Sequence, residues 1–281
     1  AGDGTFPTSI ELPGGSASTY SIAVADVDGD GDLDVLLGNY RIASRVLLNA
    51  GDGTFPTSIE LPGGSASTYS IAAGDVDGDG DLDVLIGNDG SASRVLLNAI
   101  DMHGTLKTSI ELPSGSAYTY AIAVADVDGD GDLDVLLGND RSASRVLFNA
   151  GDGTFPTSIE LPGTSMTWSI AVADVDCDGD LDVLLGNVGS ASRVLLNAGD
   201  GTFPTSIELP GGNASTYSIA AADVDVDGDL DVLLGNYDSA SRVLLNAGDG
   251  TFPTSIELPG GSAYTRSIAA ADVDGDGDLD V

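Results

Sequence analysis

The sequence of 281 residues has little positive charge: nine Lys and Arg face 45 Asp and Glu, a formal net charge of −36 at pH 7. With no basic cluster to meet phosphates, nucleic acid and anionic membrane surfaces are poor partners. The single cysteine, Cys177, excludes an intrachain disulfide, and the single histidine, His103, leaves little for acid–base chemistry. No apolar run is long enough to cross a bilayer, so membrane insertion is not expected, and no signal pattern marks the first residues. A sustained 3.6-residue apolar period is also missing, which argues against helices.

What is there is 42% hydrophobic residues, enough for a core, so the acidity is not that of a disordered chain. Self-repulsion on this scale opposes compaction unless counter-charge is supplied, and divalent cations can supply it. The chain is also repetitive. The stretch DVDGDGDLDV at 26–35 returns five times, its copies beginning at Asp75, Asp126, Asp174, Asp223 and Asp272. The period of about 49 residues is broken only by an insertion around 99–106 and a deletion within 163–168.

One repeat reads as four short strands. YSIAVAD (20–26) alternates, LDVLLGN (33–39) and SRVLLN (44–49) are apolar runs ended by Asn, and TSIELP (57–62) alternates and stops at Pro. AGDGTF (50–55) between the last two is a hairpin signal. Four antiparallel strands without helices make a propeller blade, so the expectation is an all-β propeller, one domain over 1–281, in six repeats with the last incomplete. A stacked solenoid is the weaker alternative. The chain opens on an outer strand and stops at Val281 within the second strand of the sixth repeat. An SRVLLN equivalent is missing there, so an unpaired edge is expected, with homo-oligomer formation through it as one outcome. Folding SRVLLNAGDGTFPTSIE as a symmetric hairpin sets Arg45 opposite Glu60. A structural cross-strand ion pair is therefore expected there and at Arg94, Arg145, Arg193 and Arg242.

The aspartates have a chemistry. In D-x-D-G-D-G-D-L-D, side-chain oxygens of Asp26, Asp28, Asp30 and Asp34 and the backbone carbonyl of Asp32 can surround one ion. Calcium takes six to eight hard oxygens, and Gly31 permits the sharp turn that brings both halves round it. The equivalents are Asp75, Asp77, Asp79, Asp81 and Asp83; Asp126, Asp128, Asp130, Asp132 and Asp134; Asp174, Asp176, Asp178, Asp180 and Asp182. Asp223, Asp225, Asp227, Asp229 and Asp231, then Asp272, Asp274, Asp276, Asp278 and Asp280, complete the six sets, about one calcium ion per repeat. Only the fourth position varies, with Cys177 and Val226 replacing Gly, where no ligand is needed. An EF-hand is excluded, since its loop runs twelve residues to a Glu between helices.

This loop between two strands, in repeats of this length, resembles the FG-GAP/VCBS repeats of integrin-α-like β-propellers. The resemblance covers essentially the whole chain and implies calcium in the hairpin joining the first and second strands of each blade. It also implies a possible sugar-binding role, since some fungal lectins use this propeller. Two departures stand out: family propellers often have seven blades, and their blades diverge far more than these.

Differences between repeats collect at the end of the blade opposite the calcium loop. The turn after LLGN holds Tyr40 and Arg41 in the first repeat, Arg141 in the third and Tyr237 in the fifth. The loop before the first strand ends at Tyr20, Tyr69, Tyr120, Trp168, Tyr217 and Arg266, with Tyr118 and Tyr264 two residues earlier in their repeats. Aromatic rings flanked by Asn, Asp, Ser and Arg suit a sugar; the same rings could equally be packing between blades. Catalysis is not expected, because one unit is repeated rather than a unique constellation assembled. Loops of this kind bind calcium at roughly 10⁻⁴–10⁻³ M outside cells, which points to an extracellular location. The function expected is a secreted, calcium-stabilised propeller lectin with glycans or glycoproteins as ligands. A protein-binding or structural module of a surface adhesin is the alternative.

Overall fold

The computed structural model describes residues 9–13, 18–63, 66–98, 108–113, 118–163, 166–262 and 264–281. Among them there are twenty strands and no helix. The first repeat contributes β1 (Thr19–Ala25), β2 (Asp34–Asn39), β3 (Arg45–Leu48) and β4 (Thr57–Glu60). The second gives β5 (Ser67–Gly74), β6 (Asp83–Asp89), β7 (Arg94–Leu97) and β8 (Thr108–Glu111), the third β9 (Tyr118–Ala125), β10 (Asp134–Asp140), β11 (Arg145–Phe148) and β12 (Thr157–Glu160). The fourth gives β13 (Met166–Ala173), β14 (Asp182–Val188), β15 (Arg193–Leu196) and β16 (Thr205–Glu208). The fifth gives β17 (Thr216–Ala222), β18 (Asp231–Asn236), β19 (Arg242–Leu245) and β20 (Thr254–Glu257). Each set of four pairs in chain order as one antiparallel sheet, the meander of a propeller blade.

Two compact units hold these sheets. The first three lie in one (Glu11–Asp126 and Asp130–Glu160), the last two in the other (Ala1–Ile10, Val127–Gly129 and Leu161–Val281). Within each unit, successive sheets pack face to face, which explains why the second strand is apolar throughout. Leu36 and Val46 of the first sheet meet Val84 and Ile86 of the second. Leu85 and Val95 point the other way, to Val135 and Leu137 of the third. Leu184 and Val194 meet Val232 and Leu234 in the same manner. A strand covered on both faces needs no polar alternation. The Gly of LLGN sits where sheets approach closely: a Cβ on Gly38 would lie 3.1 Å from Thr68 Cγ2 and 3.2 Å from Ser21 Cβ.

The expected ion pairs form. Arg45 lies opposite Glu60 in register and reaches it at 2.5 Å, Arg145 reaches Glu160 at 2.7 Å and Arg242 reaches Glu257 at 2.5 Å. Arg94 pairs with Glu111 and Arg193 with Glu208. Being exposed, each pair orders the outer strand more than it stabilises the blade.

The sixth repeat differs from expectation. Its first and second strands shrink to one bridge between Ala271 and Asp280, although Ile268 still donates to Ser218 Oγ at 3.1 Å as its counterparts do. A cavity of about 380 Å³, bounded by Ser241, Leu258, Thr265, Ile268 and Val281, lies beside it. The outer strand expected at the start falls partly outside the described residues, and its described part, 9–12, is not a strand.

Candidate metal loops and aromatic face

The aspartate loop joins the first and second strands of each repeat, and its carboxylates build its frame. Asp26 accepts from the N–H groups of Asp30 (3.1 Å) and Gly31 (3.0 Å). Asp30 accepts from Asp32 N–H at 2.9 Å. Asp34 is fully buried, with one oxygen accepting from Val27 N–H at 2.9 Å and the other from Asn49 N–H at 2.8 Å. The sixth loop keeps the pattern, with Gly277 N–H on Asp272 (3.1 Å) and Val273 N–H on Asp280 (3.1 Å). Gly31 has φ +95°, which the left-handed turn requires. The fourth position also lies in the left-handed region, so Cys177 (φ 60°) and Val226 (φ 63°) hold a conformation that Gly adopts elsewhere.

Three of the five carboxylates converge. Oxygens of Asp26, Asp28 and Asp34 lie within 4.8 Å of one another, as do those of Asp75, Asp77 and Asp83, of Asp126, Asp128 and Asp134, of Asp174, Asp176 and Asp182, and of Asp223, Asp225 and Asp231. The fifth-position groups, such as Asp30 and Asp79, turn back to their own loop amides. Asp32 points at the AGDGT turn, where a Cβ on Gly51 would meet its Oδ2 at 2.6 Å. That leaves the Asp32 backbone carbonyl as its available donor, and the same holds for Asp132, Asp180 and Asp229 against Gly151, Gly199 and Gly248.

The crowded carboxylates carry an electrostatic cost that a cation would relieve. Asp28, Asp77 and Asp176 each bury an Oδ1 that has no hydrogen-bond partner. An acceptor-only oxygen in that position is costly unless an ion fills the space it faces. Burial, then neighbouring carboxylates, raises all three acids above the usual range. Burial pushes Asp83 and Asp182 up to about 6 despite the two backbone N–H groups each accepts. A set made only of hard oxygens matches calcium or magnesium rather than a softer metal.

The loops are also tied to the next sheet. Asn98 Nδ2 donates at 2.7 Å to the carbonyl of Val27, inside the preceding repeat's loop, and Asn149 and Asn246 do the same to Val76 and Val175. Nothing in the sequence reading singled out this Asn, although its recurrence at the end of every SRVLLN was the available signal.

At the opposite end of each blade the aromatics occupy an unexpected backbone position. Thr19 pairs with Asn39 and Ser21 with Gly38, so Tyr20 is an extra residue without a partner across the ladder. Tyr69, Tyr120, Trp168 and Tyr217 are bulged identically. Buried Thr–Asn bonds pin the neighbouring position, from Thr68 Oγ1 to Asn88 Oδ1 at 3.1 Å and from Thr119 Oγ1 to Asn139 Oδ1 at 2.9 Å. A bulge re-aims one side chain while the strand continues.

The bulged rings are part-exposed and meet one another. In the first unit Tyr20 stacks on Tyr40 (5.0 Å) and meets Tyr69 (4.8 Å), which meets Tyr120 edge-on at 4.6 Å. In the second Trp168 stacks on Tyr217 (4.2 Å), Tyr217 on Tyr237 (4.6 Å), and Tyr237 meets Tyr264 at 4.4 Å. Arg41 lies over Tyr40 at 4.6 Å, Arg141 over Tyr118 at 4.7 Å and Arg266 over Tyr237 at 5.9 Å. Rings pack between neighbouring repeats, and Tyr20 stays 46% and Tyr264 69% exposed. His103 lies outside the described residues.

Acidic loops joining the first two strands of four-stranded antiparallel blades define the class of acidic-loop β-propeller repeats. The FG-GAP-like repeat model matches six times, over 1–37, 37–86, 75–137, 126–185, 178–234 and 223–281, and the chain belongs to that family. No curated protein matches the sequence. Among solved structures, the BP39L lectin of Burkholderia pseudomallei superposes with a TM-score of 0.70 at 18% identity, covering 91% of this chain and 75% of that one. A lectin of Agrocybe aegerita, described for recognition of non-reducing terminal N-acetylglucosamine, gives 0.58 at 21% identity over 92% of this chain and 69% of that one. The biofilm matrix protein Bap1 of V. cholerae gives 0.58 at 18% identity over 90% of this chain but only 41% of its own length. These likenesses establish the fold.

Proposed function

We propose that the chain is a secreted carbohydrate-binding propeller, stabilised by about one calcium ion per repeat and without catalytic activity. The observation that carries this reading is the bulge, which in five successive repeats lifts an aromatic residue out of the ladder and leaves its ring part-exposed. Such rings offer the flat apolar surface that a sugar's C–H face covers, and nearby Asn, Ser, Asp and Arg offer partners for its hydroxyls. The lectins among the structural neighbours support the reading. Weak sites repeated along one chain gain strength on a glycan-coated surface through multivalency.

In each metal loop the first-, third- and ninth-position carboxylates and the seventh-position carbonyl would hold the ion. Calcium would supply the positive charge that satisfies the buried Oδ1 of Asp28, Asp77 and Asp176. It would fix the hairpin from which the first strand runs to its bulge. Extracellular calcium would keep such loops filled, which is why we place the chain outside the cell.

A glycan array probed with the protein in millimolar calcium, and again after chelation, tests the proposal. Binding to a defined set of glycans in calcium, lost on chelation, is the expected result. No binding in calcium would leave a protein-binding or structural module in its place.

A further inference from the structure

We infer that the aromatic face takes carbohydrate carrying a carboxylate, such as a uronate or sialylated glycan, through the arginines that cap its tyrosines. This rests on the carbohydrate reading and narrows it. Of the nine basic residues, five are engaged in the Arg–Glu pairs of the outer strands. Among the described residues the others are Arg41, Arg141 and Arg266, and each lies over a tyrosine of the aromatic face. A chain with 45 acidic residues therefore spends all its remaining described positive charge where the bulged rings emerge.

Two of these arginines are kept against a backbone preference. Arg41 and Arg141 have φ of 60° and 64°, in the left-handed region, while the second and fourth repeats place Gly90 (φ 73°) and Gly189 (φ 76°) there. Gly meets that turn without strain, so an Arg in the slot points to a task for the side chain. A guanidinium held over a ring can still offer its edge donors to a carboxylate as two parallel bonds. A part-exposed ring of the same cluster, such as Tyr20 stacked on Tyr40 or Tyr264 against Tyr237, would receive the sugar's apolar face. The carboxylate of Asp140 lies 3.4 Å from Arg141 Nε, so that repeat is partly neutralised and makes the weakest of the three sites. Repeats with Gly in the turn would bind neutral and acidic sugars alike.

The test compares carboxylated glycans with their neutral counterparts in calcium: methyl glucuronide against methyl glucoside, and sialyllactose against lactose, alongside the array. The acidic members should bind about tenfold tighter, the scale of one charge-assisted contact, and about 1 M NaCl should erase the difference. In the triple variant Arg41→Gln, Arg141→Gln, Arg266→Gln the ratio of acidic to neutral affinity should fall to parity whatever neutral affinity remains, circular dichroism confirming the fold. Arg→Lys at the same positions should restore only part of it, since lysine lacks the planar fork. Equal binding of acidic and neutral glycans, or a preference that survives the triple variant, overturns this inference and leaves the carbohydrate reading standing. Absence of any glycan binding overturns both.

Discussion

At the residue scale, the fourth position of the aspartate loop holds a left-handed backbone in every repeat, with Gly in most copies and Cys177 and Val226 in two. Cys177 and Val226 look like harmless replacements of Gly, because no ligand is needed there. The dihedrals show otherwise: both residues are held at positive φ, and a β-branched side chain is least suited to it. Val226 is exposed, so no packing offsets the cost. Val226→Gly should stabilise the protein by about 1 kcal/mol, the left-handed penalty less the entropy that Gly adds to the unfolded chain. In calcium the melting temperature should rise by about 2 °C; no rise, or a fall, would show that the loop tolerates this geometry at no cost. The Asp positions were legible because ligand chemistry repeats with a spacing that can be read directly. The convergence of only three carboxylates was not, because the turn of Asp30 and Asp32 toward neighbouring amides and glycines depends on the folded loop.

At the scale of the element, the loop and its flanking strands share one electrostatic balance. With the folded-state carboxyls of Asp83 and Asp182 raised to about 6 from an ordinary 3.8, the calcium-free fold holds their protons more tightly than the unfolded chain does. Their stabilising contribution is complete below 3.8 and is lost as pH rises through 6. Calcium-free protein should therefore melt several degrees higher at pH 5 than at pH 7, and millimolar calcium should reverse that order by favouring the ionised loop. Magnesium should restore less than calcium, since its octahedral shell fits this turn poorly. Thermal scans with chelator, calcium and magnesium at the two pH values check all three statements. A melting temperature indifferent to calcium would remove the metal assignment. The strands of the first five repeats were legible to within two residues, the fourth ending at Glu60 rather than Pro62, because period-two alternation, two-faced apolar runs and Gly-Asp-Gly turns are local signals. The incompleteness of the sixth repeat was legible too, while the reduction of its described strands to the single bridge between Ala271 and Asp280 was not.

At the scale of the whole molecule, a formal −36 must be borne by a fold with few buried cations. Six divalent ions would bring it to about −24 and place the relief where carboxylates crowd most. Monovalent salt can only screen, yet it acts on all the charge at once. Raising NaCl should therefore increase the melting temperature strongly in chelator and only slightly in calcium. Equal slopes in the two conditions would show that the charge is not what limits the calcium-free fold.

The bulge has a consequence for how such a chain changes over generations. A residue inside a strand ladder answers to partners on both sides, so altering it risks register and core together. Tyr20, Tyr69, Trp168 and Tyr217 stand outside that constraint, and the same slot accepts Arg266 in the last repeat. Each repeat thus carries one site where selection can rewrite surface chemistry without renegotiating the architecture. Duplicating a repeat multiplies the scaffold, and one substitution per copy is then enough to make the copies differ in what they touch.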